Sequence, residues 1–257
     1  AIPRAFFLTI GLPARDDAWL AGFTKGMTEL SRQAGCPLLG GDTTRTAKVG
    51  DIHAPVTISI TAMGELPQSM GLTRSGARPG DDIWVSGYVG GAWAALMHRW
   101  GKLTLDARVF PAAALAMDRP NPRNALGTAL LSSATACADI SDGLAQDLGH
   151  ILERSGVDAD VLWDAVPKHP ALAALSQEQQ VEAAMSGGDD YELVFTAPAD
   201  KRGLIEQASI SALTPVTRIG RIVEKKPSGA PLAIRDASGR PLFLPVQGFD
   251  HFAQSAD

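Results

Sequence analysis

The chain has 257 residues, enough for one large domain or two smaller ones with a substantial core. Its 23 Lys and Arg against 28 Asp and Glu give a formal net charge of −5, which argues against a general nucleic-acid surface. No apolar run reaches the roughly 18 residues of a membrane span, and Cys36 and Cys137 are too few and too far apart for a disulfide framework, which points to a reducing, cytoplasmic setting.

Residues 5–10 read as a buried strand that Leu12-Pro13 ends. Asp16 or Asp17 can cap a helix whose apolar positions Leu20, Phe23, Met27 and Leu30 follow helical spacing, and Gly35 stops it. Residues 37–39 read as a short strand running into an acidic turn, Gly40-Gly41-Asp42-Thr43-Thr44. Residues 56–63 alternate apolar with Thr and Ser, the pattern of a half-buried strand. The Gly-, Pro-, Ser- and Arg-rich stretch 66–80 marks a crossing between two domains, 1–66 and 67–257.

In the second domain, 83–86 is a strand, and Gly90-Gly91 opens a helix through Trp100. Another helix runs from Pro122 to about Ser132. Residues 136–140 form a strand that delivers Asp139 and Asp142, and Leu144, Leu148, Ile151 and Leu152 then make one helix face that Gly156 ends. Strands at 192–196 and 218–223 and a helix at 201–208 follow. The irregular alternation favours an α+β fold over a doubly wound sheet.

Three acidic clusters carry the chemistry. In Gly40–Thr44, glycine allows close backbone approach and Asp42 can give Mg²⁺ an oxygen; the alternative is a turn whose Asp bonds its own backbone. In Asp139-Ile140-Ser141-Asp142-Gly143, two carboxylates meet a helix N-terminus whose unpaired N–H groups suit phosphate. An N-cap role would account for Ser141 or Asp142 but not for Asp139. Ser186–Glu192 places three acids in four residues, and its alternative is a solvated hairpin. Arg74, in a Gly-rich stretch, can grip phosphate or simply be a surface residue of a linker. Phe249 and Phe252 flank His251 near the C-terminus, where a ring can stack on a cationic heterocycle or pin the tail. The histidines form no ligand-spaced pair, and no P-loop is present.

With GGDTTR at 40–45, LTRSGARPGD at 72–81, DISDGLAQDLGHIL at 139–152, SGGDDYEL at 186–193 and GFDHF at 248–252, the chain resembles the thiamine-monophosphate kinases. They belong to the superfamily that includes aminoimidazole ribonucleotide synthetase. The motifs run in family order over nearly the whole chain. The resemblance implies a two-domain synthetase-like fold and ATP-dependent phosphorylation of thiamine monophosphate to thiamine diphosphate. It implies Asp42, Asp139 and Asp142 as Mg²⁺ ligands, and Gly41, Asp42, Arg74, Ser141 and a weakly matched Lys25 as nucleotide-binding residues. Arg74 would act electrostatically, and no general base is implied. Asp189 and Phe249 fall at substrate-contacting positions. A homodimer built through N-terminal-domain strands is also implied, with 56–63 as the candidate strand. Family members begin with a further segment carrying a G-D-D-A-type acidic motif, so the N-terminal domain is expected to be incomplete. The alternatives are another ATP-using synthetase of the superfamily, or an inactive nucleotide-binding dimeric scaffold.

Overall fold

The computed structural model describes residues 1–50, 52–66 and 71–242. The chain divides into two compact units, Ala1–Gly71 and Leu72–Asp257.

The first unit opens with β1 (Ile2–Leu12), which buries Ala5, Phe6, Ile10 and Leu12. Helix α1 (Asp17–Ala34) follows, N-capped by Asp16, whose carboxylate accepts the Trp19 N–H at 3.0 Å. Gly35 ends the helix in the left-handed region at φ 60°. Next come β2 (Leu38–Arg45), the short antiparallel pair β3 (Lys48–Val49) and β4 (Ile52–His53), and β5 (Thr57–Glu65). The sheet order is β2-β1-β5, with β1 parallel to β2 and antiparallel to β5.

Two expectations fail here. Gly40–Thr44 is not a turn but the middle of β2, with Thr9 opposite Asp42 and Ile10 opposite Thr43. Gly and Asp are poor strand formers, yet the ladder offered by β1 overrides their propensity. At Gly41 an added Cβ would overlap the Leu8 carbonyl oxygen, so this pairing needs glycine. Strand β5 is not half-buried: all nine of its residues are exposed, because nothing within this unit covers either of its faces.

The second unit contains β6 (Asp82–Ser86), α2 (Gly91–Arg99), α3 (Phe110–Asp118), α4 (Asn124–Ala129), β7 (Ala136–Ile140), α5 (Leu144–Ser155), β8 (Asp158–Leu162), α6 (Gln177–Val181), β9 (Glu192–Ala197), α7 (Arg202–Ser211), β10 (Val216–Val223) and β11 (Leu232–Arg235). A π-helical turn, Glu182–Ser186, extends α6. Six strands pair in the order β11-β8-β10-β6-β9-β7, antiparallel except for β11 with β8. This mixed sheet with unevenly spaced helices is the α+β arrangement that the sequence favours.

Strand β6 shows how the sheet is covered. Ile83 and Val85 enter one apolar cluster with Leu144, Leu148 and Ile151 of α5. Trp84 points to the opposite face and joins Leu126 of α4, Phe195 of β9 and Ile205 of α7. Trp84 and Phe195 stack with ring centroids 6.3 Å apart. All five residues of β6 are therefore buried, and alternation along the strand serves two cores.

The pairing also locates the candidate site. Val85 lies opposite Val194, and Ile140 opposite Glu192, in antiparallel register. The C-terminal ends of β6 and β7 and the start of β9 thus share one end of the sheet. The loops that leave there are Gly87–Gly90, Ser141–Gly143 and the Gly-Asp segment before β9.

Candidate active site

The β7–α5 turn is built on Gly143, which adopts φ 112°, and an added Cβ there would lie 2.8 Å from the Met185 carbonyl oxygen. Asp139 is exposed at the C-terminal end of β7, and Asp142 is half-buried in the loop. Neither Ser141 nor Asp142 caps α5, because the N-cap is Gly143 without a side-chain cap bond. The two amides just before the cap are both taken. One carboxylate oxygen of Asp147 accepts the Ser141 N–H at 2.9 Å and the Asp142 N–H at 3.0 Å. Burial raises the Asp147 pKa; the two backbone bonds oppose that, and the Asp142 and Asp139 charges add to it.

The segment before β9 is no solvated hairpin. The Asp189 N–H donates to the Ser141 carbonyl at 2.9 Å, and the Tyr191 N–H to the Ile140 carbonyl at 2.8 Å. Asp189 (φ 58°) and Tyr191 (φ 50°) both hold left-handed backbone that non-glycine residues avoid. Strain of this kind persists only where surrounding bonds impose it. Asp189 is exposed, and the Tyr191 hydroxyl donates to its carboxylate at 3.1 Å.

Asp190 turns the other way. Both its oxygens accept the Gly90 N–H at 2.9 Å, which ties this loop to the start of α2. Burial pushes the Asp190 carboxyl up to about 8. Glu192 is buried in an ion pair with Arg123 and also accepts the Ser86 hydroxyl at 2.5 Å. A Cβ at Gly87 (φ 56°) would overlap the Glu192 carboxylate, so only glycine fits beside it. The three loops are therefore cross-braced by inward-turned acids, with Asp139, Asp142 and Asp189 left for a ligand.

Arg74 is exposed on a strap that is itself anchored. The Cys137 N–H donates to the Thr73 carbonyl at 2.9 Å, and the Ser155 hydroxyl accepts the Gly76 and Ala77 N–H groups at 3.2 Å each. In the first unit, Asp42 is exposed on β2 beside Gly41. Lys25 lies on an open groove of α1 lined by Leu20, Ala21, Thr24, Thr28 and Arg32. Phe249 lies outside the described residues.

Sequence reasoning missed Asp147, Asp190 and the Arg123–Glu192 pair. For Asp147 a signal existed: with Leu144, Leu148 and Ile151 it completes the i, i+3, i+4, i+7 stripe of a buried helix face, where an acid is out of place. Asp190 and Glu192 carry no such local mark, since their partners lie 100 and 69 residues away.

Asp139 and Asp142 offer hard oxygen donors, and among the described residues no group of three or more His, Cys, Asp or Glu is placed to hold a metal. That donor set fits Mg²⁺, which takes one or two carboxylates and completes its shell with phosphate oxygens and water. Among the described residues no helix is long and apolar enough to cross a membrane.

The AIR synthase related protein N-terminal domain matches residues 1–66, and the corresponding C-terminal domain matches 78–231. The thiamine-monophosphate kinase of Haemophilus influenzae is 36% identical over 258 residues, covering 99% of this chain and 75% of the relative. The crystal structure of thiamine-monophosphate kinase from Stenotrophomonas maltophilia superposes with a TM-score of 0.81 at 39% identity, over 91% of this chain and 72% of the other. AaThiL, solved as a complex with AMPPCP and TMP, superposes with a TM-score of 0.78 at 25% identity, over 98% and 74%. Both domain matches and the extent of these identities show that this chain belongs to the AIR synthase-related family, among the thiamine-monophosphate kinases.

Proposed function

We propose that the protein transfers the γ-phosphoryl group of ATP to the phosphate of thiamine monophosphate, giving thiamine diphosphate and ADP. The observation that carries this reading is the bond from Asp189 to Ser141, which joins the two acidic motifs into one braced surface in a chain 36% identical to a named kinase of that substrate.

The acceptor is a phosphate monoester with a second pKa of about 6, so it is mostly dianionic at pH 7 and needs no strong general base. The obstacle is repulsion between two anions that must meet in line, and positioning with charge neutralisation meets it. Mg²⁺ supplies that neutralisation by binding phosphate oxygens. Asp139 and Asp142 in the second unit, and Asp42 in the first, are each proposed as Mg²⁺ ligands, which would let a chain of net charge −5 take polyanionic substrates. Gly41, Ser141 and Lys25 are assigned to nucleotide contact, and Arg74 to fixed positive charge on phosphate. Asp189, exposed and oriented by Tyr191, is assigned to hydrogen bonding with the aminopyrimidine ring, and Phe249 to stacking on the substrate.

The protein is further proposed to act in the cytoplasm as a homodimer. Strand β5 is an edge strand of its sheet and exposes Ile58, Ile60 and Met63. Such an edge needs a partner or protection, and a second copy supplies one.

The test is ADP release measured with thiamine monophosphate and with other phosphate, amide and carbonyl acceptors. Release that depends on thiamine monophosphate supports the kinase reading. Release with an amide or carbonyl acceptor instead indicates a synthetase, and Mg-ATP binding without turnover indicates a scaffold.

A further inference from the structure

We infer that Asp147 is the positioning residue of the cation-binding turn, acting on Asp139 and Asp142 from beneath without touching substrate. This rests on the assignment of those two carboxylates to Mg²⁺. Asp147 is 1% exposed and sits in the first turn of α5, where its own N–H bonds the Gly143 carbonyl at 3.0 Å. From there one oxygen, Oδ2, reaches back to the amides of Ser141 and Asp142. A helix N-terminus is ordinarily closed by a side chain at the N-cap. Here Gly143 has none, and Asp147 reaches from inside the first turn to the two amides that precede the cap. Two amides held on one oxygen fix the path of the loop between Asp139 and Asp142, and so fix where those carboxylates can stand.

Stapling alone does not explain the choice of a carboxylate. An Asn oxygen could accept the same two amides. As Asp, the residue keeps a second oxygen, Oδ1, that is buried and has no hydrogen-bond partner. An unsatisfied buried acceptor is costly and calls for a specific compensation. The same carboxylate is bonded to the Asp142 backbone, in the turn that carries Asp139 and Asp142. A divalent cation held by those two side chains would place positive charge close to it. The unsatisfied oxygen of Asp147 then favours the loaded turn, as partners behind a metal's direct ligands do when they orient those ligands and tune the metal.

The experiment titrates Mn²⁺, followed by electron paramagnetic resonance, into the protein with AMPPCP present. Wild type is compared with Asp147→Asn, Asp147→Ala and Asp142→Asn, and each melting temperature is measured in EDTA. Asp147→Asn, which preserves shape and the stapling acceptor, is expected to bind Mn²⁺ about tenfold more weakly, the usual cost of losing a partner behind a metal ligand. Its metal-free melting temperature should be unchanged or higher. Asp147→Ala should weaken Mn²⁺ at least as much and also melt lower; should it not fold, Asp147→Asn decides. Unaltered Mn²⁺ affinity in Asp147→Asn, alongside weakened affinity in Asp142→Asn, overturns the inference alone. Unaltered affinity in Asp142→Asn overturns the assignment of the turn to the cation.

Discussion

The Asp189 N–H lies 2.9 Å from the Ser141 carbonyl oxygen, so the residue assigned to the substrate ring hangs from the turn assigned to metal and nucleotide. The link depends on Gly188, at φ 66°, where an added Cβ would sit 2.5 Å from that same oxygen. Gly188→Ala is expected to cost about 1–3 kcal/mol in stability, the usual penalty for forcing a side chain into this conformation. It should also raise KM for thiamine monophosphate more than KM for ATP. Urea unfolding and steady-state kinetics measure both; equal effects on the two KM values would detach Gly188 from substrate recognition.

Asp190 makes stability depend on pH. Its carboxyl is raised from 3.8 to about 8 in the folded protein. A raised acid binds its proton more tightly in the folded state, so its contribution is full below about pH 4 and is lost as pH rises to about 8. Asp190→Asn keeps an acceptor for the Gly90 N–H and removes the titration. The variant should match wild type near pH 4 and gain on it progressively up to about pH 8, at about 1.4 kcal/mol for each pKa unit of the shift. Unfolding free energies of both proteins across that range provide the check, and a difference that does not vary with pH would count against a raised Asp190.

The exposed edge strand gives a third expectation. Ile60 on β5 pairs with Leu8 in the sheet, yet its side chain is 54% exposed. Ile60→Lys should convert the proposed dimer to a monomer in sedimentation velocity, with the circular dichroism spectrum unchanged, because the residue supports no core. A wild-type protein that already sediments as a monomer, or a variant that stays dimeric, would remove β5 from assembly.

Much of the second unit is legible in the sequence where local chemistry decides. Strand β7 is found at 136–140, the bounds read from the sequence, and Gly35 and Gly156 stop their helices through left-handed caps. Helix α3 and strands β8 and β11 are not legible. Their apolar stretches are short, and pairing with distant strands or packing on α2 defines them. Strand β2 is misread for the opposite reason: Gly40, Gly41 and Asp42 carry turn chemistry, and long-range pairing with β1 overrules it. In the candidate site the sequence marks the acidic clusters but not the direction of each acid, and it leaves Asp147 unmarked. Asp139, Asp142 and Asp189 stand where a ligand can reach them, while Asp147 and Asp190 turn inward to backbone amides. In Asp190 that choice is set by Gly90, 100 residues away, a contact no local pattern encodes.

The most direct measurement follows the γ-phosphoryl group itself. With γ-labelled ATP, thiamine monophosphate and Mg²⁺, the label should appear in thiamine diphosphate in equal amount to the ADP released. Label recovered as free phosphate, or ADP formed without labelled thiamine diphosphate, would contradict the account.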